Sequence, residues 1–101
     1  MNVTIASGQK TVSYLIKTGE GDLDGLIISG LNGANGTVDL YDNTSDADGT
    51  RLIPQISFLS LAAQNEMIKQ ILFPKPVHFF NGCYLKITTI SGAINVEVYT
   101  S

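Results

Sequence analysis

The sequence predicts an all-β protein: one antiparallel β-sandwich domain over residues 1–101, jelly-roll-like as first choice and immunoglobulin-like as second. Three observations carry this expectation. Apolar and polar residues alternate with a period of two in one short segment after another. Clusters of Gly, Asn, Asp and Ser separate those segments about every ten residues. Counted along the chain, the segments make about eight or nine strands.

The most informative stretch is Asp24 to Asp42, DGLIISGLNGANGTVDLYD. Leu26, Ile27 and Ile28 form a short apolar run, and Val38 and Leu40 alternate with Thr37, Asp39 and Tyr41. Between them, Gly30 to Gly36 contains Asn-Gly twice, at Asn32-Gly33 and Asn35-Gly36. Gly and Asn tolerate the positive φ that hairpin turns require, so this stretch predicts two antiparallel strands paired as a hairpin.

From the N-terminus, Val3 and Ile5 alternate with Asn2 and Thr4 in a short strand broken by Ser7-Gly8. Thr11 to Lys17 is a second strand, with Val12, Tyr14 and Ile16 on one face, and Thr18 to Asp22 is a turn. After the central hairpin, Asn43 to Thr50 is a polar loop. Leu52 to Leu59 is a strand that Pro54 confines to an edge or a late start, since proline donates no ladder hydrogen bond. In Leu61 to Leu72, Ala63, Met67 and Ile71 recur at helical spacing, but Ser60 has no Glu or Gln three residues on, so a capping box is missing. A turn at Ala62–Asn65 and a strand from Met67 to Phe73 fit better, with Pro74 and Pro76 ending the segment. Val77 to Phe80 is a short strand, and Asn81-Gly82 is the best two-residue hairpin signal in the chain. Cys83 to Thr89 follows, Leu85 and Ile87 inward and Lys86 and Thr88 outward. After a turn at Ser91-Gly92, Ile94, Val96 and Val98 alternate with Asn95, Glu97 and Tyr99.

A chain of 101 residues has room for one domain with a thin core. Charged residues are scarce at 15%, and neutral surface of this kind favours burial between subunits. The net charge is −3, the single arginine is Arg51, and the lysines are dispersed, which argues against nucleic-acid binding. Cys83 stands alone, so neither an intrachain disulfide nor a thiolate metal cluster is expected. The start, MNVTIASGQK, lacks a basic region followed by an apolar run, and no apolar stretch approaches roughly 18 residues. Synthesis in a reducing cytoplasm, with no membrane partner, is the expectation.

Candidate chemistry is sparse. Asp22-Leu23-Asp24-Gly25 and Asp46-Ala47-Asp48-Gly49 both read D-x-D-G, with Asp42 near the second. These five aspartates are weak cation candidates, because calcium takes clustered carboxylate oxygens on a glycine-permitted turn. The bidentate glutamate that closes an EF-hand loop is missing, Ser57 standing in its place, so both stretches are read as turns and no metal or other cofactor is expected. His78 has no companion placed by spacing for a zinc site or a triad, and is read as a packed or rim residue. Gly30, Gly33 and Gly36 lack the helix and Lys-Ser/Thr pair of a phosphate loop. Tyr41 and Tyr99 fall at outward positions, where a tyrosine serves sugar stacking, a protein interface or ordinary cross-strand packing.

The order of motifs resembles one known group. DGLIIS, a Gly/Asn turn and TVDLYDNTSDADGTRLI are followed near the end by VHFFNGCYLKITTISGAINVEVY. The match runs through Val38, Leu40, Tyr41, Asp42, Gly49 and Thr50, then Phe80, Asn81, Gly82, Leu85, Gly92 and Val96. Over nearly its whole length the chain is similar to small tailed-bacteriophage virion proteins, with Cys83 where these more often have Leu. The resemblance implies a non-enzymatic virion structural protein that decorates, or cements, the outside of a phage capsid. The alternatives are a head-spike base, a tail appendage or, from a different class, a carbohydrate-binding β-sandwich module. It implies a homo-oligomer, a trimer at threefold capsid positions, bound to the major capsid protein or other virion proteins. Met1, Asn2, Val3, Thr4 and Ile5, in the segment Met1–Ser7, are candidates for adding a strand to a capsid edge, with Tyr41 and Tyr99 as further contact residues.

Overall fold

The computed structural model describes residues 4–30, 33–44, 49–59, 67–92 and 94–101. Among them are eight strands: β1 (Ile5–Ala6), β2 (Tyr14–Thr18), β3 (Gly21–Gly30), β4 (Asn35–Tyr41), β5 (Ile56–Leu59), β6 (Met67–Phe79), β7 (Gly82–Ser91) and β8 (Ile94–Thr100). They form two four-stranded antiparallel sheets, in the orders β1-β8-β3-β6 and β2-β7-β4-β5. The first strand pairs with the last, the second with the seventh, the third with the sixth and the fourth with the fifth. The chain is thus one long antiparallel hairpin wound on itself, with β3·β8 and β4·β7 pairings knitting the turns together. This is jelly-roll-like order. An immunoglobulin-like arrangement, the second choice, pairs several consecutive strands; here β4 and β5 are the sole consecutive pair in one sheet.

The alternating residues bury one side of each strand. Leu23, Leu26 and Ile28 of β3, Val38 and Leu40 of β4, Leu85 of β7, and Ile94, Val96 and Val98 of β8 are fully buried, with Phe58 and Phe79 closing the core from the edge strands. Each such side chain stabilises the fold by about 1.5–3 kcal/mol through lost apolar exposure.

Three local readings are corrected. The Asp24–Asp42 stretch is not a hairpin, because β3 and β4 lie in different sheets. Alternation shows which side of a strand is buried. That side is the same whether the next strand pairs with it or faces it across the core. Gly33 supplies the positive φ (71°) of the crossing, whereas Asn35 and Gly36 already belong to β4. Gly36 serves close approach: a Cβ there would lie 2.3 Å from the Thr88 carbonyl oxygen. Asn81-Gly82 likewise carries the chain between sheets, from β6 to β7.

Second, Pro74 and Pro76 do not end a strand; β6 runs through both, joining Met67–Phe73 to Val77–Phe79. The register with β3 jumps from Leu23↔Val77 to Gly25↔Leu72, so the prolines sit in an unpaired bulge on an edge strand, where a missing N–H costs no ladder bond. The expected turn at Ala62–Asn65 lies outside the described residues. Third, Asp22 to Gly25 is not a turn but part of β3, with the bulge at Asp24. The Pro54 argument holds: β5 starts after it and is an edge strand.

Candidate functional site

The chemistry-bearing side chains are occupied in holding the fold. Asp42, just past β4, accepts backbone N–H bonds from Phe80 (3.0 Å), Asn81 (2.7 Å) and Gly82 (3.3 Å), and so ties the β6–β7 crossing to the other sheet. Burial pushes its pKa up, but the three backbone donors together outweigh that and hold the carboxyl below its ordinary range. His78 lies opposite Asp22 in the β3·β6 register. Its Nδ1 is 2.8 Å from Asp22 and its Nε2 3.4 Å from Glu20. The Asp22 hydrogen bond, with the charge of Glu20, raises the imidazole pKa. The two carboxylates approach opposite edges of the ring, so they do not converge on a common point as metal ligands would. Phe80 packs edge-on against the exposed imidazole at 4.7 Å, making His78 a rim residue.

Asp24 takes the Thr4 hydroxyl at 3.2 Å. Asp22, Asp24 and Asp42 therefore serve three different partners, and Asp46 and Asp48 lie outside the described residues. Among the described residues, no group of three or more His, Cys, Asp or Glu is placed to hold a metal ion. Cys83 is fully buried in the core and its thiol is pushed up to about 12 by burial, with the Asp42 charge adding to it.

Tyr41 is on the outer side of its sheet, as alternation requires, but it is buried rather than exposed (9%). The loop after β4 folds back through a Tyr41↔Arg51 bridge, and Arg51 lies over the ring with Nε 3.3 Å from the hydroxyl. The same Nε is 3.3 Å from Oδ1 of Asp39, which is also buried. That contact is an ion pair without hydrogen-bond alignment, while Oδ2 accepts from Gln55 at 3.1 Å. Local alternation could not have shown this cover, because it comes from a loop ten positions on. Tyr99 is half-buried and its hydroxyl donates to Glu97. Of the N-terminal candidates, Met1, Asn2 and Val3 lie outside the described residues. Ile5 is exposed, yet its backbone pairs with Thr100, and Ser7 exchanges hydrogen bonds with Val98. From Ile5 onward the segment is the edge strand of the protein's own sheet, paired with β8 on one side.

What remains open is surface. A groove of about 510 Å³ runs between the edge strands β5 and β6, lined by Ile53, Ile56, Ile71 and Phe73, and Lys69 reaches across to the Ser57 carbonyl oxygen. The outer face of the β1-β8-β3-β6 sheet is broader. It presents Ile27 and Ser29 of β3, Ile68, Gln70 and Leu72 of β6, and Asn95, Glu97 and Tyr99 of β8. Ile68 and Leu72 are 61% and 65% exposed, and Glu97 is the one charged side chain in these rows.

No family model, curated protein or solved structure matches the chain. The class is therefore set by architecture: a small eight-stranded antiparallel β-sandwich whose described ionisable groups brace its turns and sheet faces. Among the described residues no helix is long and apolar enough to cross a membrane.

Proposed function

We propose that this protein is a non-enzymatic virion structural protein that coats the outside of a phage capsid as a homo-oligomer, in contact with the major capsid protein. The sequence resemblance supplies the virion context. The observation that carries a binding role is the partly apolar outer face of the β1-β8-β3-β6 sheet, where Ile68 and Leu72 are exposed. It offers contact area without a charge pattern suited to nucleic acid. A coat protein repeated many times on a particle needs only modest affinity at each contact, because neighbouring contacts act together.

For the carbohydrate-binding alternative, Tyr41 is covered by Arg51, while Tyr99 stays half-buried on the outer face with its hydroxyl on Glu97.

Antibody labelling of intact particles tests the proposal. Label spread over the head is expected. Label confined to the head vertices or the tail would move the assignment to a head-spike base or a tail appendage. Absence from particles, with binding on a glycan array, would replace it by the carbohydrate-binding reading.

A further inference from the structure

We propose that Asn81 is a deamidation site that the fold holds shut: its side-chain amide survives while Asp42 clasps the β6–β7 crossing, and is converted through the following glycine when that crossing opens. This holds whether or not the chain coats a particle.

Chemistry sets the requirement. Asparagine is a labile residue, and glycine after it leaves the attacking nitrogen unshielded, because glycine has no Cβ. The Gly82 nitrogen gives up its proton to water or hydroxide and bonds to the side-chain Cγ of Asn81. The side-chain nitrogen takes a proton back and leaves as ammonia, and the product is a cyclic succinimide. Water then adds to either ring carbonyl and opens the ring. One route gives aspartate; the other gives isoaspartate, with the main chain rerouted through the side chain.

Ring closure requires the Asn81–Gly82 peptide unit to swing about the Asn81 Cα–C bond until its nitrogen faces the side chain. That unit is tied at both ends. The Asn81 carbonyl oxygen accepts from the Gly19 N–H at 2.9 Å, and the Gly82 N–H donates to Oδ1 of Asp42 at 3.3 Å. The Asn81 N–H donates to the same oxygen at 2.7 Å, which fixes the other side of the residue. Charge adds to the restraint: a carboxylate beside the Gly82 N–H opposes loss of its proton, since the nitrogen anion would be a second negative charge at hydrogen-bond distance. Space is short as well, for a Cβ on Gly82 would lie 2.9 Å from the carbonyl oxygens of both Asn43 and Lys17. Water is at hand, because Asn81 is exposed and lines an open cleft of about 260 Å³ with Asp42, Asn43 and Thr44.

Asn35-Gly36 supplies the comparison. It lies in β4 with β5 paired on one side and β7 on the other, so two ladders guard it where one carboxylate guards Asn81. Conversion at Asn81 runs one way. Either product sets a new carboxylate in the cleft beside Asp42, and isoaspartate also adds a carbon to the main chain. The three-donor clasp does not then re-form as before. The converted fraction of Asn81 therefore records how long the crossing has stood open.

Peptide mapping of the full chain by mass spectrometry, after incubation in mildly alkaline buffer, tests the gate. The native wild type should convert Asn81 roughly tenfold or more slowly than the same chain in urea. Folded Asp42→Ala should convert Asn81 several-fold faster than the wild type while Asn35 keeps its native rate, since Asn35 reports opening of the whole domain and Asn81 opening of the crossing. Asp42→Asn keeps an acceptor and loses the charge; it should also convert Asn81 faster, and it decides the matter if Asp42→Ala does not fold. Native conversion as fast as in urea, or an unchanged Asn81 rate in a folded Asp42 variant, would overturn the proposal. A rise at Asn81 matched by an equal rise at Asn35 would overturn it too, by placing the gate in the whole domain.

Discussion

The Asp42 carboxylate and the Asn81 backbone N–H are 39 positions apart in sequence and 2.7 Å apart in space. With Phe80 and Gly82, Asn81 turns three backbone donors of the β6–β7 crossing onto one side chain just past β4. Asp42→Ala should lower stability by about 0.5–1.5 kcal/mol in chemical denaturation, because three backbone N–H groups, of which only that of Gly82 is part-buried, lose their acceptor. The depressed pKa fixes the pH signature. This stabilisation is fully present above the ordinary value of 3.8 and is lost as the pH falls through the lower folded-state value. The acid limb of stability against pH should therefore be shallower in Asp42→Ala. An identical slope would mean that the three bonds carry no net free energy.

His78 titrates with the opposite sign. Its folded-state pKa is raised, first by the Asp22 hydrogen bond, so its contribution is complete below the ordinary value of 6.5 and fades as the pH rises through the raised value. The imidazole is exposed, so the effect on stability is small and weakens with salt. Melting temperature measured from pH 6 to pH 9 should fall slightly in the wild type and less in His78→Gln. An NMR titration of the imidazole at or below its ordinary pKa would contradict the ion pair.

Gly36→Ala should destabilise the sandwich by about 1–3 kcal/mol or more, as overpacked sites do. The new methyl would fall 2.3 Å from the Thr88 carbonyl oxygen and 2.6 Å from Ile94 Cδ1, one on the paired strand β7 and one across the core. Urea denaturation reads the change directly. A gain in stability, the usual result where alanine fits and the unfolded chain loses entropy, would show that β4 and β7 can separate without cost.

Cys83 should be silent toward a disulfide reagent in the native protein and react fully in denaturant. A thiol pushed up to about 12 supplies almost no thiolate at neutral pH, and it has no access to solvent. Rapid native-state labelling would show that the core opens on the time scale of the assay.

What the sequence shows of this fold is the in-and-out pattern of each strand. Ile94, Val96 and Val98 alternate with Asn95, Glu97 and Tyr99 in the sequence and in the structure alike, because a strand has two sides and one is dry. What it does not show is which strand lies beside which. Gly33 and Asn81-Gly82 fall where the composition is that of hairpin turns, yet both mark crossings between sheets, since the backbone angles of a sharp reversal are shared by the two. Pro74 and Pro76 read as terminators because their harmlessness depends on β6 being an edge, a property of the whole sheet. The candidate surface was legible as low charge. Its rows of Leu72, Gly25 and Tyr99 or Gln70, Ile27 and Glu97 were not, because they are set by long-range register.

The nested pairing governs when this chain can fold during its synthesis. β8 lies between β1 and β3, and β7 lies between β2 and β4, so the latest-made strand of each sheet lies inside it. While Gly82 to Thr100 is still inside the ribosome, each sheet lacks the strand that joins its two halves. The growing polypeptide then exposes unpaired edges and half a core, and loop closure from β1 to β8 spans nearly its entire length. Folding must therefore await translation of the final strand and its emergence from the exit tunnel. Until that moment, protection from aggregation has to come from the ribosome or from chaperones.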